Sequence, residues 1–122
     1  MSDAIRVLIV DDDAMQLDMV SRRLRLEGFE VATAATSFGT SNLIRSFLPR
    51  VVLLDVNIPA LAGDKLLAVA RRFAPKETRF VLWSACDESK LRALAREAQA
   101  DDWISKSTDL SIVADRLRKL CC

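Results

Sequence analysis

The sequence predicts an α/β fold, a parallel sheet with helices packed on both of its faces. Apolar runs of strand length alternate five times with amphipathic stretches of helix length, the pattern of parallel strands joined by helical crossovers. Several strand runs are apolar throughout, as expected where both faces of a strand are covered. The chain has 122 residues, 51% of them hydrophobic, which suits one domain with a real core.

Residues 5–10 (IRVLIV) form the first strand, ending abruptly in Asp11, Asp12 and Asp13. Ala14, Leu17, Val20 and Leu24 recur at helical spacing, and Gly28 follows as a C-terminal cap. Asp13 is expected to cap that helix at its start. Residues 29–34 form a second strand. Ser37 caps a helix that turns Leu43, Ile44, Phe47 and Leu48 inward and stops at Pro49. Residues 51–54 are a third, wholly apolar strand, ending at Asp55. A loop over 56–63, punctuated by Pro59 and Gly63, leads to a helix with Leu66, Val69, Ala70 and Phe73 on its inner face. Residues 79–83 are a fourth strand ending at Ser84. Asp87 caps a helix carrying Leu91, Leu94, Ala95 and Ala98. Trp103 and Ile104 form a short fifth strand before Lys106, and Leu110, Val113, Leu117 and Leu120 stripe the last helix. Crossovers are expected to be right-handed.

Composition excludes several functions. Lys plus Arg number 18 and Asp plus Glu 17, a balance that gives no global pull towards nucleic acid or anionic membrane. No apolar run reaches the ~20 residues that span a bilayer, and residues 1–6 lack the regions of a signal peptide; the expected location is the cytoplasm. Histidine is absent and the three cysteines, Cys86, Cys121 and Cys122, have no metal-ligand spacing, so zinc sites and His-dependent triads are not expected. Cys121 and Cys122 read as free thiols.

The polar residues that end the strands carry the chemistry. Asp11 and Asp12 follow the first strand, Asp55 the third, Ser84 the fourth and Lys106 the fifth. In an open parallel sheet the C-terminal strand ends share one edge, where ligands bind. Singly, each residue reads as a cap, a turn or a solvated charge; together they make coincidence a weak account. Three carboxylates beside one cation suit a hard, oxygen-seeking ion such as Mg2+. An aspartate can act as nucleophile towards phosphorus, with positioning and charge neutralisation from Mg2+ and Lys106. The Ser84 hydroxyl can hydrogen-bond a phosphate oxygen.

Four segments then resemble the receiver domain of bacterial response regulators, over essentially the whole chain: VLIVDD (7–12), LLDVNIPALAG (53–63), LWSA (82–85) and DDWISK (101–106). The resemblance implies a doubly wound, CheY-like (flavodoxin-like) αβα sandwich with a five-stranded parallel sheet in the order 2-1-3-4-5. It implies a single receiver domain over 1–122 with no output domain, and Mg2+ as the one cofactor. By it Asp55 is the phosphoacceptor, and Asp12 and Asp55 ligate Mg2+. Asp11 ligates the ion or holds a bound water, and the main-chain carbonyl of Asn57 completes the protein ligands. Lys106 pairs with the phosphate, Ser84 is the switch hydroxyl and Trp103 the switch aromatic. The implied function is phosphorelay signalling without enzymatic turnover of its own. The donor is a sensor histidine kinase or His-phosphotransfer protein, and the face of helix four, strand five and helix five is switched towards a downstream protein. Neither direct nucleic-acid binding nor membrane binding is expected, and the chain is read as a monomer or a weak, phosphorylation-dependent homodimer.

Two departures stand out. Ser107 follows Lys106 where the family usually has proline, which leaves the Lys106–Ser107 bond open between trans and a cis form costing about 2.5–4 kcal/mol. Trp103 is bulkier than the usual tyrosine or phenylalanine. Other readings are a receiver that works only as an interaction module, and a haloacid-dehalogenase-like phosphatase with Asp11 as nucleophile. The latter conflicts with Met15, where that motif has Thr or Val. A flavin-binding domain conflicts with the acidic first loop, which lacks a phosphate cradle.

Overall fold

The computed structural model describes residues 4–36, 39–56 and 63–121, the side chains of 63–66 excepted. Five strands alternate with five helices. They are β1 (Arg6–Val10), α1 (Ala14–Leu26), β2 (Glu30–Ala34), α2 (Thr40–Phe47), β3 (Val51–Asp55) and α3 (Gly63–Phe73), followed by β4 (Arg79–Ser84), α4 (Glu88–Ala98), β5 (Asp102–Ser105) and α5 (Leu110–Leu120). All strand pairs are parallel and the order is β2-β1-β3-β4-β5, as expected.

Strand alternation divides the core into two layers. Val7, Ile9, Leu53, Val81 and Trp83 face Leu17, Val20 and Leu24 of α1 and Val113 and Leu117 of α5. Leu8, Val10, Val52, Leu54, Phe80 and Leu82 face Ile44 of α2, Leu67 and Ala70 of α3, and Leu91 and Ala95 of α4. Both faces of β1, β3 and β4 are therefore covered, which is why their sequences are apolar without a break.

The caps follow local chemistry. The Asp13 carboxylate accepts from the N–H groups of Met15 and Gln16, and that of Asp87 from Lys90 N–H. Gly28 takes a positive φ of 97° just beyond α1, a conformation open to glycine at little cost. Three expected inward positions turn out otherwise. Ala14 is exposed. Leu48 ends α2 as a left-handed C-cap and is 46% exposed, because Pro49 prevents a further helical turn. Val69 is 39% exposed while Leu67 is buried, so the inner face of α3 is rotated from the expected one. Ser37, Asn57, Pro59 and Cys122 lie outside the described residues.

At the sheet edge opposite the strand C-termini, Glu27 ties α1 to α5. Its carboxylate accepts from Arg118 at 2.8 Å and from Arg23 at 3.2 Å. The Arg118 hydrogen bond, above all, holds the Glu27 carboxyl below its ordinary 4.5, against a smaller opposing effect of burial. A depressed folded-state pKa adds stability that is present above the unfolded value and is lost as pH falls through the folded one. Glu27→Gln is accordingly expected to lose less stability than wild type on acidification below pH 4.5, in urea titrations over a pH series. Parallel curves would refute the role of this carboxylate.

Candidate functional site: an acidic pocket at the strand ends

Parallel pairing brings the polar strand ends together. Val10 is in register with Ala34 and Leu54, Asp55 with Trp83, and Ser84 with Ser105. The residues one step beyond, Asp11 and Lys106, extend the same edge. Asp11 (0% exposed) and Asp55 (1%) are buried, while Asp12 is open to solvent. Asp11, Asp12 and Asp55 each offer a carboxylate oxygen, and these oxygens lie within 4.8 Å of one another.

Lys106 projects into this group. Its Nζ lies 2.8 Å from Asp11 Oδ2 and 3.5 Å from Asp55 Oδ2. One cation thus faces two buried carboxylates and a third that is open to solvent, a set of hard oxygen donors that a divalent cation could join.

The acidic trio fits Mg2+. Oxygens at about 2.0–2.1 Å from such an ion stand at most about 4.2 Å apart, so carboxylate oxygens that lie within 4.8 Å of one another could hold one with small side-chain adjustment. Hard oxygen donors, with one member open to solvent, leave room for waters and a phosphate oxygen.

Ser84 ends β4 fully buried, and its Oγ accepts from Cys86 N–H at 3.1 Å. The backbone N–H of Lys106 donates to the Ser84 carbonyl at 2.8 Å, fastening the lysine to the end of β4. The Lys106–Ser107 bond is trans, since no described peptide bond is cis. The N–H that a proline would lack is satisfied here: Ser107 N donates to Ser105 Oγ at 3.2 Å, and the two hydroxyls lie 2.8 Å apart. A serine pair thereby shapes the turn in place of a proline ring.

Trp103 is half-buried on β5. Arg92 of α4 and Arg116 of α5 lie 5.8 and 5.9 Å from its ring centroid, within cation–π range. Arg116 also donates to the Trp103 carbonyl at 2.7 Å and to Asp102 at 2.9 Å. The expected switch aromatic therefore stands on the α4-β5-α5 face, held by arginines from both flanking helices.

Two contacts were not expected, one at the site and one at the other end of the sheet. Trp83 Nε1 donates to Asp11 Oδ2 at 3.2 Å; its alternation with Val81 places it on the α1/α5 side, and a buried indole N–H generally needs an acceptor. Asp101 accepts from Phe80 N–H at 2.7 Å and pairs with Arg71 and Arg79, anchoring the start of β5 to β4.

Comparison with known proteins accords with this geometry. The family model described as a response regulator receiver domain matches residues 7–118. The transcriptional regulatory protein PrrA of Mycobacterium bovis is 35% identical over 115 residues, covering 94% of this chain and 49% of PrrA. The DNA-binding response regulator MtrA of Mycolicibacterium paratuberculosis is 34% identical over 101 residues, covering 83% of this chain and 44% of MtrA. The chain thus spans about half the length of these relatives. Among solved structures, a CheY-like receiver domain protein from Methanospirillum hungatei superposes with a TM-score of 0.84 at 28% identity, covering 97% of this chain and 94% of that one. The response regulator DrrB of Thermotoga maritima gives 0.78 at 28% identity, over 95% of this chain and 52% of DrrB. No helix among the described residues is long and apolar enough to cross a membrane. Motifs, sheet order and these likenesses agree: the chain belongs to the receiver-domain family of response regulators, the signalling domains of two-component systems.

Proposed function

We propose that this receiver accepts a phosphoryl group on Asp55 in a Mg2+-dependent reaction, from a histidine kinase or His-phosphotransfer partner. The observation that carries the reading is the placement of Asp55: buried at the end of β3, 3.5 Å from Lys106, and grouped with Asp11 and Asp12. An Asp55 carboxylate oxygen attacks phosphorus, the phosphorus–nitrogen bond of a phosphohistidine breaks, and the imidazole leaves with the bonding electrons. The product is an acyl phosphate on Asp55. Asp12 and Asp55 would hold Mg2+, with Asp11 as a further ligand or the holder of a bound water and Asn57 as main-chain donor. The ion would supply neutralisation of phosphate charge. Lys106 supplies a positive charge 3.5 Å from Asp55 Oδ2, and burial strengthens its effect.

Phosphorylation adds charge and three acceptor oxygens at Asp55. Ser84 is the hydroxyl that ends the fourth strand, and its movement would draw the loop after β4. Trp103, bearing on α4 and α5 through Arg92 and Arg116, would carry the change to the α4-β5-α5 face, where a downstream protein or a second copy reads it. This receiver is proposed to act in the cytoplasm, with no direct hold of its own on nucleic acid or membrane. MtrA is named a DNA-binding response regulator as a whole protein, and the match covers 44% of it.

The test is intact mass after incubation with acetyl phosphate. One added phosphoryl group with Mg2+ and none without it is the expected result. No adduct from acetyl phosphate or phosphoramidate would refute the phosphoacceptor reading and leave a receiver that works by interaction alone.

A further inference from the structure

Trp83 is wholly buried among the side chains of the α1/α5 layer. Packing alone explains an apolar residue there but not where its one polar atom goes. That atom, Nε1, donates to Asp11 Oδ2 at 3.2 Å, on the oxygen that also meets Lys106 at 2.8 Å. The other oxygen, Oδ1, accepts the Asp13 backbone N–H at 3.0 Å. Asp11 is thus gripped by donors from β4, from the turn after β5 and from its own loop. Asp12, the exposed member of the trio, lies one residue on.

We infer that Trp83 is a positioning residue for the metal site: its indole N–H fixes the Asp11 carboxylate, so that Mg2+ meets a carboxylate whose direction is already set. The inference rests on the proposed Mg2+ site. A neutral N–H donor orients the carboxylate without cancelling its charge, unlike a second lysine. Without it, Oδ2 keeps only the Lys106 contact and Oδ1 the Asp13 N–H, so the plane of the carboxylate is less tightly set. Groups that orient metal ligands in this way typically contribute about 10–100-fold to metal affinity. The same contact makes the indole a reporter of occupancy, because a cation beside Asp11 draws electron density from the acceptor of its hydrogen bond.

The test is Mg2+ titration of the full chain followed by 1H–15N NMR. The chain has two tryptophans, so Trp103→Phe assigns the two indole signals. The Trp83 indole signal is expected to move with Mg2+ and to saturate with the backbone amides around Asp11. Trp83→Phe, which keeps an aromatic ring and removes the N–H, is expected to weaken Mg2+ binding about tenfold. Leu117→Ala, a change in the same core layer in the second half of α5, should leave Mg2+ affinity unchanged, separating orientation from general loosening of the core. Affinity of Trp83→Phe within twofold of wild type overturns the inference while the metal site stands. If that variant does not fold, a wild-type Trp83 indole signal unmoved by saturating Mg2+ overturns it equally. A wild-type protein with no Mg2+-dependent shifts anywhere overturns the metal site itself, and the inference with it.

Discussion

Asp55→Asn is expected to gain no phosphoryl group from acetyl phosphate and Mg2+ under conditions in which the wild-type chain gains one. The substitution keeps the size of the side chain and its place at the end of β3, but an amide oxygen is neutral and a far weaker nucleophile than a carboxylate. The fold should survive the change. Asp55 is repelled by the carboxylates of Asp11 and Asp12 and attracted by Lys106 at 3.5 Å. Unit charges at such separations interact by a few kcal/mol at an effective dielectric of about 20, and the two effects oppose each other. Stability measured by urea unfolding should therefore stay within about 1 kcal/mol of wild type. An adduct of undiminished yield in the variant would move the phosphoacceptor to another residue, with Asp12, the exposed carboxylate of the pocket, the first to examine.

Lys106→Met should have the second-largest effect, on both rate and stability. Methionine keeps much of the stem and loses the charge. Asp11, fully buried, loses an ion pair of 2.8 Å, and Asp55 loses its neighbouring cation at 3.5 Å. Removing one partner of a buried pair leaves uncompensated charge and typically costs about 3–5 kcal/mol. Because the pocket opens to solvent at Asp12, the lower end of that range is expected. Mg2+ should restore part of it by binding the folded state preferentially. The phosphorylation rate should fall by about 10²–10³, the usual effect of deleting one preorganised electrostatic contact at developing charge. Adduct mass against time gives the rate, and urea titrations with and without Mg2+ give the stability. A rate within threefold of wild type would show that the lysine serves the fold and not the transfer.

The chemistry of the site was legible in the chain because it sits at punctuation. A β-branched run followed directly by aspartate, serine or lysine marks a strand end. Four such ends in a parallel sheet meet at one edge whatever the details of packing. The alternation of strand and helix also follows from apolar runs and patterns of period 3.6, since burial on both faces leaves a strand no polar alternative; the strand order came with the family resemblance. Local chemistry was equally readable in the Asp13 and Asp87 caps and the glycine that ends α1, where the interacting atoms are within four residues of each other.

Contacts between distant residues were not legible. Trp83 and Asp11 are 72 residues apart, and nothing in either neighbourhood says that an indole N–H will point at that carboxylate. The same holds for Asp101 meeting the Phe80 N–H and for Arg118 meeting Glu27 across 91 residues. Helix faces at the margins, Leu48 and Val69, went astray for a related reason: an apolar side chain satisfies the pattern equally well inside or just outside, and only its neighbours decide. The sequence by itself determined the fold, the edge that carries the site and the residue types that meet there. The tertiary structure decided which carboxylate each donor holds, because hydrogen bonds and ion pairs depend on directions and distances that only the packed sheet and helices establish.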